Sequence, residues 1–293
     1  MAIPLKLRRS LHWLGSLFAI VGIVFVALRL HDYQTQIDFS RFSMMDCAVA
    51  VGFAIIYGLA NLLLALAWWH LLSRFGAHTS RRWAVRVYGV SQLAKYVPGN
   101  IFHLTGRQAI GMAAGVPGWA LAKSSIWELG LIVIAGGLFG FLVLPLFLQT
   151  FPIFVSLGIF VLFVCTGVNS LARIVGKSAG YAFSYYVGFL LVSGSVFVAL
   201  VTLISGFSNI DLAVTLLLLG AFVVAWLIGL VTPGAPAGVG IRELVLLFLL
   251  KGLVVEADLL LAVTLGRFVT VVGDVLFFAL ACCLKNQKEI AVT

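Results

Sequence analysis

Five ionisable residues stand inside long apolar runs of this chain: Glu128, Arg242, Glu243, Arg267 and Asp274. A charge at the centre of a bilayer costs roughly 2.5–3.5 kcal/mol on insertion scales, so such residues face a bundle interior or a wet cavity and pair with one another. Lys95 and Arg107 belong with them, because each lies close to a proline–glycine break in an apolar stretch. The chemistry open to this set is binding rather than bond-making. A guanidinium presents a planar fork that matches a phosphate, and free backbone N–H groups at a helix start add anion-binding capacity. A phosphate-bearing lipid is the expected ligand of such a cavity, and Glu128, Glu243 or Asp274 could take a proton. The competing expectation is a set of structural ion pairs that glue helices together, with Glu128–Arg267 and Glu243–Arg107 as the cross-bundle pairs.

Two stretches must position these side chains. Tyr88 to Arg107 reads YGVSQLAKYVPGNIFHLTGR, and Thr232 to Glu243 reads TPGAPAGVGIRE. In both, an arginine follows the proline of a Pro-Gly by nine positions: Pro98 and Gly99 lead to Arg107, while Pro233 and Gly234 lead past Gly240 to Arg242. A broken helix in hydrocarbon leaves backbone groups unpaired and is tolerated only where protein or a water-filled cavity surrounds it. Paired breaks in the two halves of a chain point to a transporter whose substrate site lies at a repeat interface. Beyond each arginine a short apolar helix leads to a longer span with one charge near its start, Glu128 or Arg267. This pattern is compatible with an internal repeat, although the intervening lengths differ by four residues.

The rest of the chain forms the frame. Of its 293 residues, 62% are hydrophobic and 10% charged, against about 25% charged in soluble domains, and its mean hydropathy is +1.16. The fold class is an all-α polytopic membrane protein, a single integral membrane domain over residues 1–293. Spans of about 20 apolar residues are expected at 11–30, 47–72, 124–148, 152–168, 181–205, 212–231 and 259–284. The first is too long for a signal peptide and lacks a clear cleavage site. The second ends in Trp68, Trp69 and His70, read as an interfacial aromatic anchor. Arg74, Arg81, Arg82 and Arg86 place the next loop, and hence the N-terminus, in the cytoplasm. The segments near 88–107 and 232–253 are expected as short broken or re-entrant helices. If 239–255 crosses, there are eight spans and Lys285 and Lys288 are cytoplasmic; if it dips and returns, there are seven. The positive-inside rule favours eight.

Several functions are set aside. The net charge of +9 comes from basic residues in short loops beside apolar spans, where sidedness and anionic lipid explain it without nucleic acid. Cys47, Cys165, Cys282 and Cys283 lack metal-ligand spacing and are read as buried apolar thiols. The five histidines do not cluster and no H-E-x-x-H helix is present, so no metal is expected. His103, close to Lys95 and Arg107, is read as interfacial filler before it is read as a phosphate ligand. Neither a P-loop nor a G-x-S-x-G elbow occurs. No cofactor and no enzymatic activity are expected, and the Gly- and Phe-rich apolar surface is compatible with a homodimer.

SQLAKYVPGNIFHLTGR resembles the S-x-x-x-K-Y-x-P-G signature of the lysylphosphatidylglycerol synthase transmembrane-region family, bacterial and archaeal flippase-like membrane proteins. TPGAPAGVGIRE resembles that family's later Pro-Gly signature ending in Arg-Glu, and Gly266-Arg267 also fits. The resemblance runs from about residue 11 to 284. It departs at Ala235-Pro236-Ala237-Gly238, where the family has a glycine-rich run. The resemblance implies a lipid flippase of the cytoplasmic membrane, with Lys95, Arg107, Arg242, Glu243 and Arg267 carried over as functional. The substrate expected from it is a polyprenyl-phosphate-linked sugar or a phospholipid, and no soluble synthase domain is expected after the last span. The alternative is a non-transporting partner subunit of a glycosyltransferase or another envelope-lipid enzyme.

Overall fold

A computed structural model of the chain describes residues 43–97, 101–148, 150–206, 211–232, 238, 240–284 and 290–292, with scattered positions between 10 and 32. The expected first span therefore lies largely outside the described residues. So do Pro98, Gly99, Pro233 and Gly234.

The described residues form ten α-helices. Helix α1 (Met44–Arg74) starts at a capping box, in which the Ser43 hydroxyl accepts from the Asp46 N–H and the Asp46 carboxylate accepts from the Ser43 N–H. This satisfies two of the donors that a helix start leaves open. After strand β1 (Ala77–Thr79) come α2 (Arg81–Gln92), a 3₁₀ turn (Leu93–Tyr96) and α3 (Phe102–Ala113). Next are α4 (Gly118–Leu138), α5 (Gly140–Phe147), α6 (Ile153–Ile174), α7 (Lys177–Ser205) and α8 (Leu212–Val231). The chain closes with α9 (Ile241–Leu249), α10 (Glu256–Cys283) and strand β2 (Ile290–Val292).

Six helices among the described residues are long and apolar enough to cross a membrane: α1, α4 continued by α5, α6, α7, α8 and α10. The protein is thus a helical multi-pass membrane protein. Its centre is α7, which packs against α1, α6, α8 and α10. The buried face of α1 (Ala54, Tyr57, Asn61, Ala65, Trp68, Leu72) recurs every three or four residues, as one face of a helix does. Val51, Ile55, Ile56 and Leu59 on the other side are exposed. Glycines set the closest approach: a Cβ on Gly58 of α1 would lie 2.8 Å from the Gly273 carbonyl oxygen of α10. Small residues at such crossings let backbones touch where lipid supplies no hydrophobic drive.

Both expected breaks show the same backbone signature. Val97, before Pro98, is extended at φ −68°, ψ 132°, and Thr232, before Pro233, is extended at φ −78°, ψ 117°. The proline ring disfavours the helical region for its predecessor, so the helical run stops there in each half. The helix after the second break is short. Helix α9 has nine residues, about 13.5 Å at 1.5 Å per residue, against a hydrocarbon core of about 30 Å.

Two expectations are corrected. Trp68 is not an interfacial anchor: it is fully buried and donates from Nε1 to Ser124 Oγ at 3.0 Å. Its neighbour Trp69 donates to the Thr79 carbonyl at 2.7 Å. Helix α2 and its aromatic Trp83 cover this end of α1, and an indole with a partner for its N–H is stable inside. The four cysteines are exposed rather than buried. An apolar thiol on a membrane helix is accommodated as well by lipid as by protein, so hydrophobic surroundings in sequence do not imply an inward-facing side chain.

Candidate functional site

Three ion pairs, each joining a short segment to a long helix, surround one cavity. In the first half, Arg107 on α3 reaches Glu128 on α4, with Nη1–Oε2 at 2.9 Å. The Tyr88 hydroxyl donates to the same carboxylate at 2.9 Å, and the guanidinium lies 4.3 Å from the Tyr88 ring and 5.0 Å from that of Trp68. Arginine, weakly hydrated and flat, is suited to this aromatic setting. In the second half, Arg267 on α10 binds Glu243 on α9 through Nε–Oε1 at 2.5 Å. Its Nη2 donates to the Gly238 carbonyl at 3.0 Å. Gly238 holds a left-handed φ of +70° with its Cα against Gly229 of α8, an approach that leaves no room for a side chain.

These pairings correct the expected ones: Glu128 takes Arg107 rather than Arg267, and Glu243 takes Arg267 rather than Arg107. Each pair closes within its own half because the short helix after the break folds back onto the long helix that follows it. The polarity is reversed between halves. The first half puts arginine on the short helix, and the second puts it on the long one.

The third pair crosses between the halves. Lys95 Nζ, on the 3₁₀ turn, is 2.7 Å from Asp274 Oδ2 on α10. The Tyr96 hydroxyl donates to the same oxygen, and Asn61 Nδ2 of α1 donates to Oδ1 at 3.2 Å. Gln92 in turn donates to Asn61 Oδ1 at 3.2 Å. A buried carboxylate is tolerated when a cation and hydrogen bonds satisfy its oxygens, and Asp274, with no exposure, has both.

The cavity measures about 130 Å³, small beside drug-sized pockets of roughly 300–1,000 Å³. Lys95, His103, Glu128, Arg242 and Arg267 line it together with Phe189, Phe222, Trp226 and Leu230. Arg242 lies 5.7 Å from the Phe222 ring. Of the residues singled out in the sequence, then, Lys95, Glu128, Arg242 and Arg267 reach the cavity. Arg107, Glu243 and Asp274 stand behind it as ion-pair partners, and Gly240, at φ +84°, caps the start of α9. Arg107 is 1% exposed and does not line the cavity, which Tyr88 and Glu128 face in its place. His103 is more than interfacial filler. It lines the cavity, and its buried Nδ1 has no hydrogen-bond partner among the described residues.

Sequence reasoning passed over Asn61, Tyr88, Gln92, Tyr96 and Trp226. The first has a signal, as a carboxamide in the middle of an apolar span. Tyr88, Gln92 and Tyr96 recur every four residues, the spacing of one helix face. Among the described residues no group of histidine, cysteine and acidic side chains could hold a metal ion. The chain matches no protein-family model, no curated protein and no solved structure.

Proposed function

We propose that this protein moves a phosphate-bearing lipid, a phospholipid or a polyprenyl-phosphate-linked sugar, across the cytoplasmic membrane of a bacterium or archaeon. The observation that carries this reading is the mixed cationic and apolar lining of the cavity. Lys95, Arg242 and Arg267 bring cationic donors to a cavity that Phe222, Trp226 and Leu230 also line. A charged headgroup joined to the first carbons of its tails presents both kinds of surface. The small volume suits that part of the lipid alone, with the rest of the tails left in the membrane. The resemblance to flippase-like proteins supports the reading, with both of its signature stretches contributing residues to the cavity.

Helix α9 and the described residues that follow it, 250–255, belong to this picture as part of a crossing, as in transporters with discontinuous helices. The supporting observation is the antiparallel pairing of Ala77–Thr79 with Ile290–Val292. In this reading residues 290–292 share a side of the membrane with the basic loop after α1, and five long spans lie between them among the described residues. Two segments on one side need an even number of crossings between them, and the proposed sixth is the one that contains α9.

Translocation of fluorescent phosphatidylglycerol by the purified chain in vesicles tests the reading. Arg242→Gln is expected to slow it roughly ten- to hundredfold, the effect of one charge-assisted hydrogen bond, with unchanged thermal stability. A variant as fast as the wild type would overturn the cationic cavity.

The reading as a partner subunit of a glycosyltransferase draws on a different observation, that three ion pairs are closed within the folded chain. It predicts wild-type vesicles no faster than empty ones, and loss of the enzyme from membranes when this chain is removed.

A further inference from the structure

Lys95 and Asp274 differ in access although they are bonded to each other. The lysine side chain is 20% exposed and lines the cavity, while the aspartate is fully buried and does not. An anion entering the cavity therefore reaches the cation of this pair and cannot reach its carboxylate. We propose that the pair is a proton-coupled latch: a lipid phosphate takes Lys95 from Asp274, and Asp274 then takes up a proton. The inference rests on the reading that a lipid phosphate enters this cavity.

The step balances in charge. Lys95 stays protonated and exchanges a carboxylate oxygen for a phosphate oxygen. A proton from water adds to Asp274 Oδ2, so one anionic charge and one proton enter together. Stripped of its cation, a buried carboxylate is neutralised more readily than it is left ionised. Its remaining neighbours are uncharged donors, and the Tyr96 hydroxyl can turn from donor to acceptor when Oδ2 gains the proton. Tyr96 and Asn61 contact its two oxygens through a hydroxyl and a carboxamide, both neutral, and Gln92 backs Asn61. Tyr57 on α1 is the other titratable group beside it. Two further cations face the cavity: Arg267, two turns earlier on α10, bonded to Glu243 and the Gly238 carbonyl, and Arg242, beside the Phe222 ring. His103 lies beside Lys95 on the cavity wall. Because the complex gains no net charge, its passage is insensitive to membrane potential, which otherwise acts on every elementary charge moved.

The test is calorimetry of the full chain in detergent with dihexanoylphosphatidylglycerol, in buffers of different ionisation enthalpy, so that bound lipid and proton uptake are counted together. Uptake on binding means that affinity rises as pH falls, by up to about tenfold per unit for one proton. The expected result is up to one proton per lipid in the wild type. Asp274→Asn, which imitates the protonated carboxyl, is expected to bind at every pH as tightly as the wild type does at low pH, with no uptake. Lipid binding without proton uptake by the wild type would overturn the latch and leave the lipid reading standing. No binding at all would overturn both. Sulfate, which does not titrate in this range, provides the free-anion arm: sulfate that binds with proton uptake, where the lipid does not bind at all, overturns the lipid reading and the lipid-driven latch with it, and leaves a free anion as the ligand of the pair. If Asp274→Asn does not fold, the wild-type proton count decides.

Discussion

Arg107 shows how misleading an intramembrane arginine is when taken one residue at a time. Its position after a Pro-Gly suggests a hand for phosphate, yet it is spent on Glu128 beneath two aromatic rings. Removing one partner of a buried pair strands the other, at a cost of about 3–5 kcal/mol, whereas replacing both by neutral groups of similar volume is often tolerated. Arg107→Ala is accordingly expected to lower the unfolding temperature in detergent sharply, and Arg107→Met with Glu128→Gln to recover most of the loss. Equal destabilisation by the single and double variants would contradict a pair that acts as a unit. Arg242, at the start of the corresponding short helix, lines the cavity instead. The two arginines are alike in sequence context and different in role.

At the level of elements, the site depends on how closely α1 and α10 approach. Asn61 and Asp274 meet because Gly58 and Gly273 bring the two backbones together. A Cβ on Gly273 would lie 2.7 Å from the Ala54 carbonyl oxygen. Overpacking of this kind costs about 1–3 kcal/mol, so Gly273→Ala should lower thermal stability and also impair translocation by stretching the Asn61–Asp274 contact. Gly52→Ala, on the same helix pair but with nothing within 4 Å of the new methyl, is the control and should be neutral or slightly stabilising. Like behaviour of the two variants would show that helix propensity, not the crossing, governs both. The location of the breaks was legible in the sequence, because a proline dictates the conformation of Val97 and Thr232. The glycines that make the crossing were not, since nothing local distinguishes Gly58 and Gly273 from the many glycines that face lipid.

For the whole molecule, the proposed sidedness draws on the strand pairing of Ala77–Thr79 with Ile290–Val292. On the proposed crossing through α9, a cysteine at Gly252 should react with a membrane-impermeant reagent from outside the cell, and one at Gln287 should be protected until the membrane is opened. The reverse labelling would mean that the segment dips and returns, leaving seven spans. Helix α6 makes the complementary point about exterior surface. Phe154, Leu162 and Phe163 are exposed on it, as expected of a peripheral helix facing lipid tails.

The sequence by itself determined the class of the protein, the positions of the spans in the described part of the chain, the two breaks and the set of ionisable residues within them. Those features are local: an apolar run long enough to cross a bilayer, a proline that excludes the helix before it, a charge too costly to face hydrocarbon. Which carboxylate takes which cation was decided only by the tertiary structure. Glu128 and Glu243 are each surrounded in sequence by apolar residues that say nothing about distance across the bundle. Packing of α3 on α4, of α9 on α10 and of the 3₁₀ turn on α10 settles the partners. The same packing turned Asp274 from one charge among several into the sealed half of a pair whose other half, Lys95, faces the cavity.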